Sequence, residues 1–307
     1  MKEITIVTAF FDIDRKNIKD FNRDNQKYLD AFKFWARIRN NIVVYSDSKT
    51  IKEVKKIRRE YGLEKQTKTV VIDDFLNIDR ELYDSINNAM KKKEFIDFHM
   101  QTNIPEVRSA KYNYIMALKS WICSDAIKKG YTTDMVCWLD FGFNYGGKFY
   151  RKSEEFDFEW KWNFSDKIHL LQVNDFDDLP VFEIIRRNNS YVQGGEIVAP
   201  KELWGVLWKM VRENMISLCK CGFPDDDQIL YLMSYRENKN LFEIHKCEWL
   251  ALFKDFCDRK FTFKRDKINK FKNFLHKCKH PNEFMWIRKI NYAFRTYNTL
   301  KKFKLKG

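Results

Sequence analysis

Short apolar runs that close on a polar residue alternate along the chain with stretches in which apolar residues recur three and four apart. The first run, Glu3 to Ala9, alternates and is β-branched, which predicts a strand with Phe10 to Arg15 as the loop at its carboxyl end. Asn25 to Arg39 has a helical period, and Asn41 to Asp47 is a second strand. Thr50 to Tyr61 reads as a charged surface helix stopped by Gly62, and Thr69 to Asp74 as a third strand. Strand, helix, strand, helix, strand at this spacing predicts parallel βαβ units and an α/β fold.

Asp79 to Asn103 is polar and lysine-rich, with helical stretches and no clear core face, and reads as a mobile lid. Ala110 to Ile122 is an amphipathic helix. Met135 to Leu139 is a buried strand that ends abruptly in Asp140-Phe141-Gly142. Glu155 to Trp162 alternates acid with aromatic, as an exposed edge strand does. Lys167 to Val173 is another buried strand, Asn189 to Pro200 a strand interrupted by Gly194-Gly195, and Lys201 to Leu218 a helix. Phe223 to Gln228 opens a helix through Tyr235, and Phe242 to His245 is a last short strand.

Composition adds three exclusions. With 44% apolar and 16% aromatic residues the chain has the material for a core, so disorder is not expected. No run of about 18 apolar residues exists, and the amino terminus enters a strand directly, so neither a membrane span nor a signal peptide is expected. The seven cysteines are scattered, without zinc-site or disulfide-framework spacing, and read as reduced thiols. Charge divides the chain. Asp258 to Gly307 holds sixteen lysines and arginines against three acids, nearly the whole of the net +14.

Several polar groups stand where chemistry is expected. A carboxylate after Val136-Cys137-Trp138-Leu139 is costly to bury unpaired, so Asp140 needs a metal, an arginine or capping amides. Two glycines in a strand, at Gln193-Gly194-Gly195, mark a bulge, a tight turn or close backbone approach to a ligand. Asp225-Asp226-Asp227-Gln228 offers a helix cap, and one Asp satisfies that cap. The surplus carboxylates, Asp227 first and then Asp226, are free for general base work or for hydrogen bonding a sugar. Arg108, Lys111 and Lys119 flank the central helix as phosphate-neutralising or solvated charges. His245 ends a short apolar strand, as a metal ligand or a satisfied histidine.

In this order and spacing the chain resembles A-type nucleotide-sugar glycosyltransferases, and within them the HtrL/YibB-type family of bacterial envelope-associated proteins. The residues that carry the likeness are Ile6 to Asp12, the helix Lys111 to Trp121, Trp138 to Gly142, Gln193-Gly194-Gly195 and the Asp226-Asp227-Gln228 helix start. It covers roughly residues 3 to 250. The resemblance implies a Rossmann-related mixed sheet flanked by helices and a nucleotide-sugar donor, UDP-linked. It also implies a divalent Mn²⁺ or Mg²⁺ on the diphosphate, held by Asp140 with His245 as a further ligand. Thr8, Ala9, Phe10, Arg15, Arg108, Lys111, Lys119, Asp140 and Gly142 fall on the donor side, and Gln193, Gly194 and Gly195 on the sugar and acceptor side. The usual motif is Asp-x-Asp, whereas here Gly142 takes the third position, with Asn144 or a water to replace the second carboxylate.

These readings converge on two domains. Residues 1–257 form the transferase domain, and 258–307 a basic, aromatic-rich helical segment. Helices aromatic on one face and cationic on the other bind anionic lipid surfaces. The expected protein is a cytoplasmic glycosyltransferase, peripheral on the inner face of the cell membrane, acting on a lipid-linked or cell-envelope glycan. Two alternatives belong to other classes. One is a nucleic-acid-binding protein using the tail, disfavoured because the first 257 residues carry almost no excess positive charge. The other is a non-catalytic scaffold of the same fold.

Overall fold

The amino-terminal apolar run becomes β1 (Lys2–Phe10), the strand around which the sheet is laid out. The computed structural model describes residues 1–13, 15 and 24–264. β1 pairs in parallel with β2 (Ile42–Ser46), and β2 with β3 (Thr67–Val71). The chain then returns to the other side of β1 as β4 (Met135–Leu139), again parallel. β5 (Lys161–Trp162) pairs antiparallel with the start of β1. Beyond β4 come β7 (Val192–Pro200), antiparallel to it, β6 (Ile168–Gln172), antiparallel to β7, and β8 (Phe242–Lys246), parallel to β6. The order β3-β2-β1-β4-β7-β6-β8 reverses direction between β1 and β4. The α/β class and the flanked mixed sheet expected from the sequence are what the structure shows.

Period-two alternation gives each strand one residue set per face, and two cores result. On one face Val7, Val43, Trp138, Leu170 and Ile197 are buried under α3 (Arg80–Met90), α6 (Ala110–Lys128), α8 (Lys201–Cys221) and α9 (Asp227–Glu237). On the other Ile6, Val44, Cys137, Leu139 and Val198 pack on α1 (Asn25–Trp35), α2 (Ser48–Glu60) and the region around α10 (Leu252–Asp255). Short helices α4 (Lys93–Phe98), α5 (Pro105–Arg108) and α7 (Val181–Arg187) complete the set among the described residues.

Two expectations are corrected. The stretch read as a lid has a core face after all. Leu82, Ile86 and Ala89 of α3 are buried, four and three apart, and Arg212 of α8 holds Asp79 at 2.6 Å and Glu81 at 2.9 Å. Nor is Glu155 to Trp162 an exposed edge strand. A 3-10 turn spans Ser153–Phe156, only Lys161–Trp162 pairs, and Phe156 and Trp160 are fully buried. Aromatics at alternate positions there wedge into the core instead of lining a sheet.

Met1–Lys264 forms one compact unit. Within it Phe261 and Phe263 meet the ring of Tyr150, and the backbone of Phe263 bridges to Tyr150, so the first residues of the basic segment pack on the main body. The remainder of that segment, 265–307, lies outside the described residues.

Candidate functional site

The strand order switches between the parallel neighbours β1 and β4, and Asp140 stands at the carboxyl end of β4 beside that switch. β4 stops there because the Asp140 amide donates to the Gly195 carbonyl at 2.9 Å while its own carbonyl accepts from Phe143 N at 2.8 Å, a tight turn. Its side chain falls on the same face as Trp138, whose indole Nε1 donates to Asp140 Oδ1 at 2.8 Å.

Lys119 meets it from α6. Between Tyr112 and Ser124 Lys119 is the sole charged residue, and the helix is buried nearly all round, so the ammonium is carried inside at 2% exposure. Nζ stands 2.8 Å from Asp140 Oδ1, 2.6 Å from Asp227 Oδ2 and 3.1 Å from the Gly194 carbonyl oxygen. Three acceptors match the three protons of an ammonium. Burial works against its charge, and the Asp140 and Asp227 carboxylates overcome that and hold its pKa above the usual lysine value.

Asp227 comes from the first turn of α9. Asp226 is the cap, accepting from Gln228 N at 3.1 Å, and Asp225 Oδ1 accepts from Asp226 N at 2.9 Å. Asp227 is therefore left for Lys119. The three acids and Glu106 are largely buried together. Burial pushes Asp225 up to about 8, with Glu106 and Asp227 adding to it, and raises Asp226 well above the carboxylate range. Burial also raises Asp227, against the pull of Lys119, and raises Glu106. Asp140 is the open member: its side chain is 38% exposed and that of Asp227 3%.

The glycine pair has a partner within the protein. A Cβ at Gly194 would lie 2.0 Å from Asp227 Oδ2, and one at Gly195 3.1 Å from Asp140 Oδ2. The bare backbone is the floor on which both carboxylates rest. Gln193 turns to the opposite side, its Oε1 accepting from Leu250 N at 2.9 Å.

On the donor side, the register Val7 to Trp138 puts Thr8 and Ala9 level with the end of β4. Thr8 is buried with Oγ1 unpartnered, and Ala9 is half-buried on the Asp140 face. Phe10 stacks with Phe141 at 5.2 Å and lies 5.0 Å from the Tyr28 ring. The Arg15 guanidinium sits over Phe10 and Tyr28 at 4.9 and 4.7 Å, and donates to the Phe11 carbonyl. A Cβ at Gly142 would meet the Tyr28 ring at 2.9 Å, so this glycine admits the aromatic. A groove of about 740 Å³ runs between α1 and α2, lined there by Leu29, Lys33, Glu53 and Ile57 among others, and reaches the carboxyl ends of β1 and β2 at Phe10, Asp12 and Asp47.

Other predicted site residues stand apart. Arg108 is exposed and donates to Thr102 O and to Asn103 Oδ1 at 3.0 Å. Lys111 is half-buried in the first turn of α6. Asn144, offered as a substitute carboxylate, is buried and spent on its own loop, accepting from Phe149 N and Tyr150 N at 2.8 Å each. His245 lies on the sheet face opposite Asp140, since it pairs with Leu171 of the second core and its ring meets Phe256. There it joins His169 and Glu243, with His169 Nδ1 2.8 Å from His245 Nε2. Trp138, Glu106, His169 and Glu243 were not singled out in the sequence. Trp138 alone left a signal, as the residue two before Asp140 on a strand.

A family described as "Bacterial protein of unknown function (HtrL_YibB)" matches residues 2–258. Protein HtrL of Escherichia coli (strain K12) is 26% identical over 269 residues, covering 82% of this chain and 92% of HtrL. Among solved structures, mouse xyloside xylosyltransferase 1 in its apo form is 14% identical, covers 87% of this chain and 98% of its own, and gives a TM-score of 0.42. A glycosyltransferase involved in glycosylation of the major capsid of PBCV-1 is 12% identical, with 80% and 82% coverage and a TM-score of 0.33. Both structural likenesses are loose.

Proposed function

The chain belongs to the HtrL/YibB family, whose function is described as unknown, and we propose that it is a glycosyltransferase moving a sugar from a nucleotide-sugar donor to a glycan acceptor. The observation that carries this reading is the Asp140–Lys119–Asp227 cluster, set at the carboxyl end of β4 where the strand order switches. In open α/β sheets the crevice outside the carboxyl ends of the strands, at such a reversal, is where ligands bind.

In this reading the nucleoside occupies the part of the groove at the carboxyl ends of β1 and β2, near Phe10, Tyr28 and Arg15, and the diphosphate lies over Ala9 toward Asp140. Lys119, buried with its three protons engaged, does not reach the diphosphate; it offsets the charge of Asp140 and Asp227 from behind and so lowers the repulsion the diphosphate meets there. The residues present fit a divalent cation: Asp140 Oδ1 receives both Lys119 and Trp138, while the solvent-facing side of the carboxylate stays open. Asp140 would hold Mn²⁺ or Mg²⁺, which when bound supplies charge neutralisation to the departing nucleoside diphosphate. One carboxylate suffices for an ion that keeps most of its waters and phosphate ligands.

Asp227 and then Asp226 remain the acids for the acceptor hydroxyl or the donor sugar. A raised proton affinity suits Asp227 to accept a proton. Its burial means that it meets substrate only when Lys119 or the Gly194 strand gives way. Gly194 and Gly195 act through position, leaving the space that Asp227 and Asp140 occupy, while Gln193 is held on the other side by Leu250 N.

No helix among the described residues is long and apolar enough to cross a membrane. Attachment to the inner membrane face is proposed on the sequence of 258–307 alone, with a lipid-linked or envelope glycan as acceptor. Release of nucleoside diphosphate from a panel of nucleotide sugars, with Mn²⁺ and with chelator, tests the activity. Turnover of at least one donor that chelator abolishes supports it, and silence across the panel with no nucleotide binding favours the scaffold alternative.

A further inference from the structure

We propose that His169, Glu243 and His245 form a transition-metal site of their own, on the sheet face opposite Asp140, clamping the edge strand β8 to β6. Their candidate ligand atoms all lie within 4.8 Å of one another. Strand pairing creates the cluster: His169 is directly beside Glu243 in the parallel β6–β8 ladder, and His245 is the next residue on the same face.

Ring orientation leaves a lone pair for a cation. His169 Nε2 is 3.0 Å from the Ser165 carbonyl, which accepts only, so Nε2 carries the proton and Nδ1 presents its lone pair. Without an ion, that lone pair accepts a hydrogen bond from His245 Nε2 at 2.8 Å, and a bound ion would take the place of the shared proton. At metal–nitrogen distances of about 2.0–2.1 Å, this spacing corresponds to two adjacent positions near a right angle at one ion. Glu243 completes the set with Oε1 3.7 Å from His245 Nε2, while its Oε2 accepts from the Ser165 hydroxyl at 2.5 Å. Ser165 thus orients two of the three ligands, the role of an outer shell. His169 is enclosed, and Glu243, 43% exposed, leaves an entry path. Two imidazoles and a carboxylate select a divalent ion of the zinc and cobalt kind over Mg²⁺.

The ion would stabilise the β6–β8 edge and stand apart from the reaction cation at Asp140. The test is a titration of the full chain, stripped with chelator, with Co²⁺ and with Zn²⁺, read by cobalt d–d absorption and by thermal midpoint. The carboxyl-terminal segment contains His276, Cys278 and His280, so the reading is the difference between wild type and variants. Loss of outer-shell partners alone costs ten- to a hundredfold in affinity, so Glu243→Gln and His245→Gln should each weaken the site by at least about tenfold. Asp140→Asn should leave it unchanged. Isotherms of both histidine-site variants that superimpose on wild type, or equal loss in Asp140→Asn, would overturn the proposal. His245→Gln keeps the side chain's bulk against Phe256, and Glu243 is at the surface, so at least one variant folds.

Discussion

Gly194 lies so close to Asp227 that a Cβ at position 194 would stand 2.0 Å from Asp227 Oδ2. The strand backbone and the helix carboxylate share space that any other residue would claim. Gly194→Ala must push Asp227 off Lys119 or bend β7, and overpacking of this kind costs about 1–3 kcal/mol. The double variant Gly194→Ala with Asp227→Ala should recover part of that loss. Chemical denaturation of the four proteins of the cycle checks it, and additive effects would contradict the packing account.

Lys119 is a buried cation held between Asp140 and Asp227. Lys119→Met leaves Asp227 buried without its partner, and breaking a buried pair from one side costs about 3–5 kcal/mol. Lys119→Arg should not restore stability, because a planar guanidinium cannot reproduce the three-way geometry of the ammonium. A denaturant midpoint for Lys119→Met equal to wild type would show that the cluster holds nothing together.

The raised Asp225 gives stability a definite pH slope. Its folded pKa, about 8, lies above the ordinary value of 3.8, so the folded state binds the extra proton between them. Its contribution is whole below about pH 4 and is lost as pH rises toward 8, by at most about 1.4 kcal/mol per pH unit for one group. Asp226 and Glu106 shift in the same direction. Asp225→Asn should flatten the wild-type decline measured by denaturation across pH 4 to 8. An unchanged slope would mean that Asp225 is ionised throughout.

The basic segment is separable at a particular place. Phe261 and Phe263 pack on Tyr150, so truncation after Cys257 removes core contacts as well as charge. Truncation after Lys264 should keep the thermal midpoint of the full chain and lose sedimentation with anionic vesicles. Truncation after Cys257 should lower the midpoint too. Equal vesicle binding by the full chain and the form ending at Lys264 would remove the membrane reading.

The sequence made the strands legible because their apolar runs are local, and Asp140 and Asp227 because each closes or opens an element. Lys119 was visible as a phosphate-neutralising or solvated charge, whereas its burial between two carboxylates was not read, although a single lysine between Tyr112 and Ser124 in an otherwise uncharged stretch of helix marks a buried cation. The reason for Gly194 and Gly195 lay in α9 and β4, which only the fold brings to them. His169 and His245 are 76 residues apart and become neighbours through the pairing of β6 with β8, which no local pattern announces. Alternation misled at Glu155 to Trp162, where aromatics plug the core without making a strand.

Nucleotide binding at Asp140 is the point on which the transferase reading turns. Isothermal titration of the wild type with UDP should give saturable binding that Mn²⁺ strengthens at least about tenfold, a coupling of roughly 1.4 kcal/mol. Asp140→Asn should lose that Mn²⁺ enhancement while keeping the wild-type fold. Binding of UDP that ignores Mn²⁺, or an Asp140→Asn isotherm identical to wild type, would contradict the account.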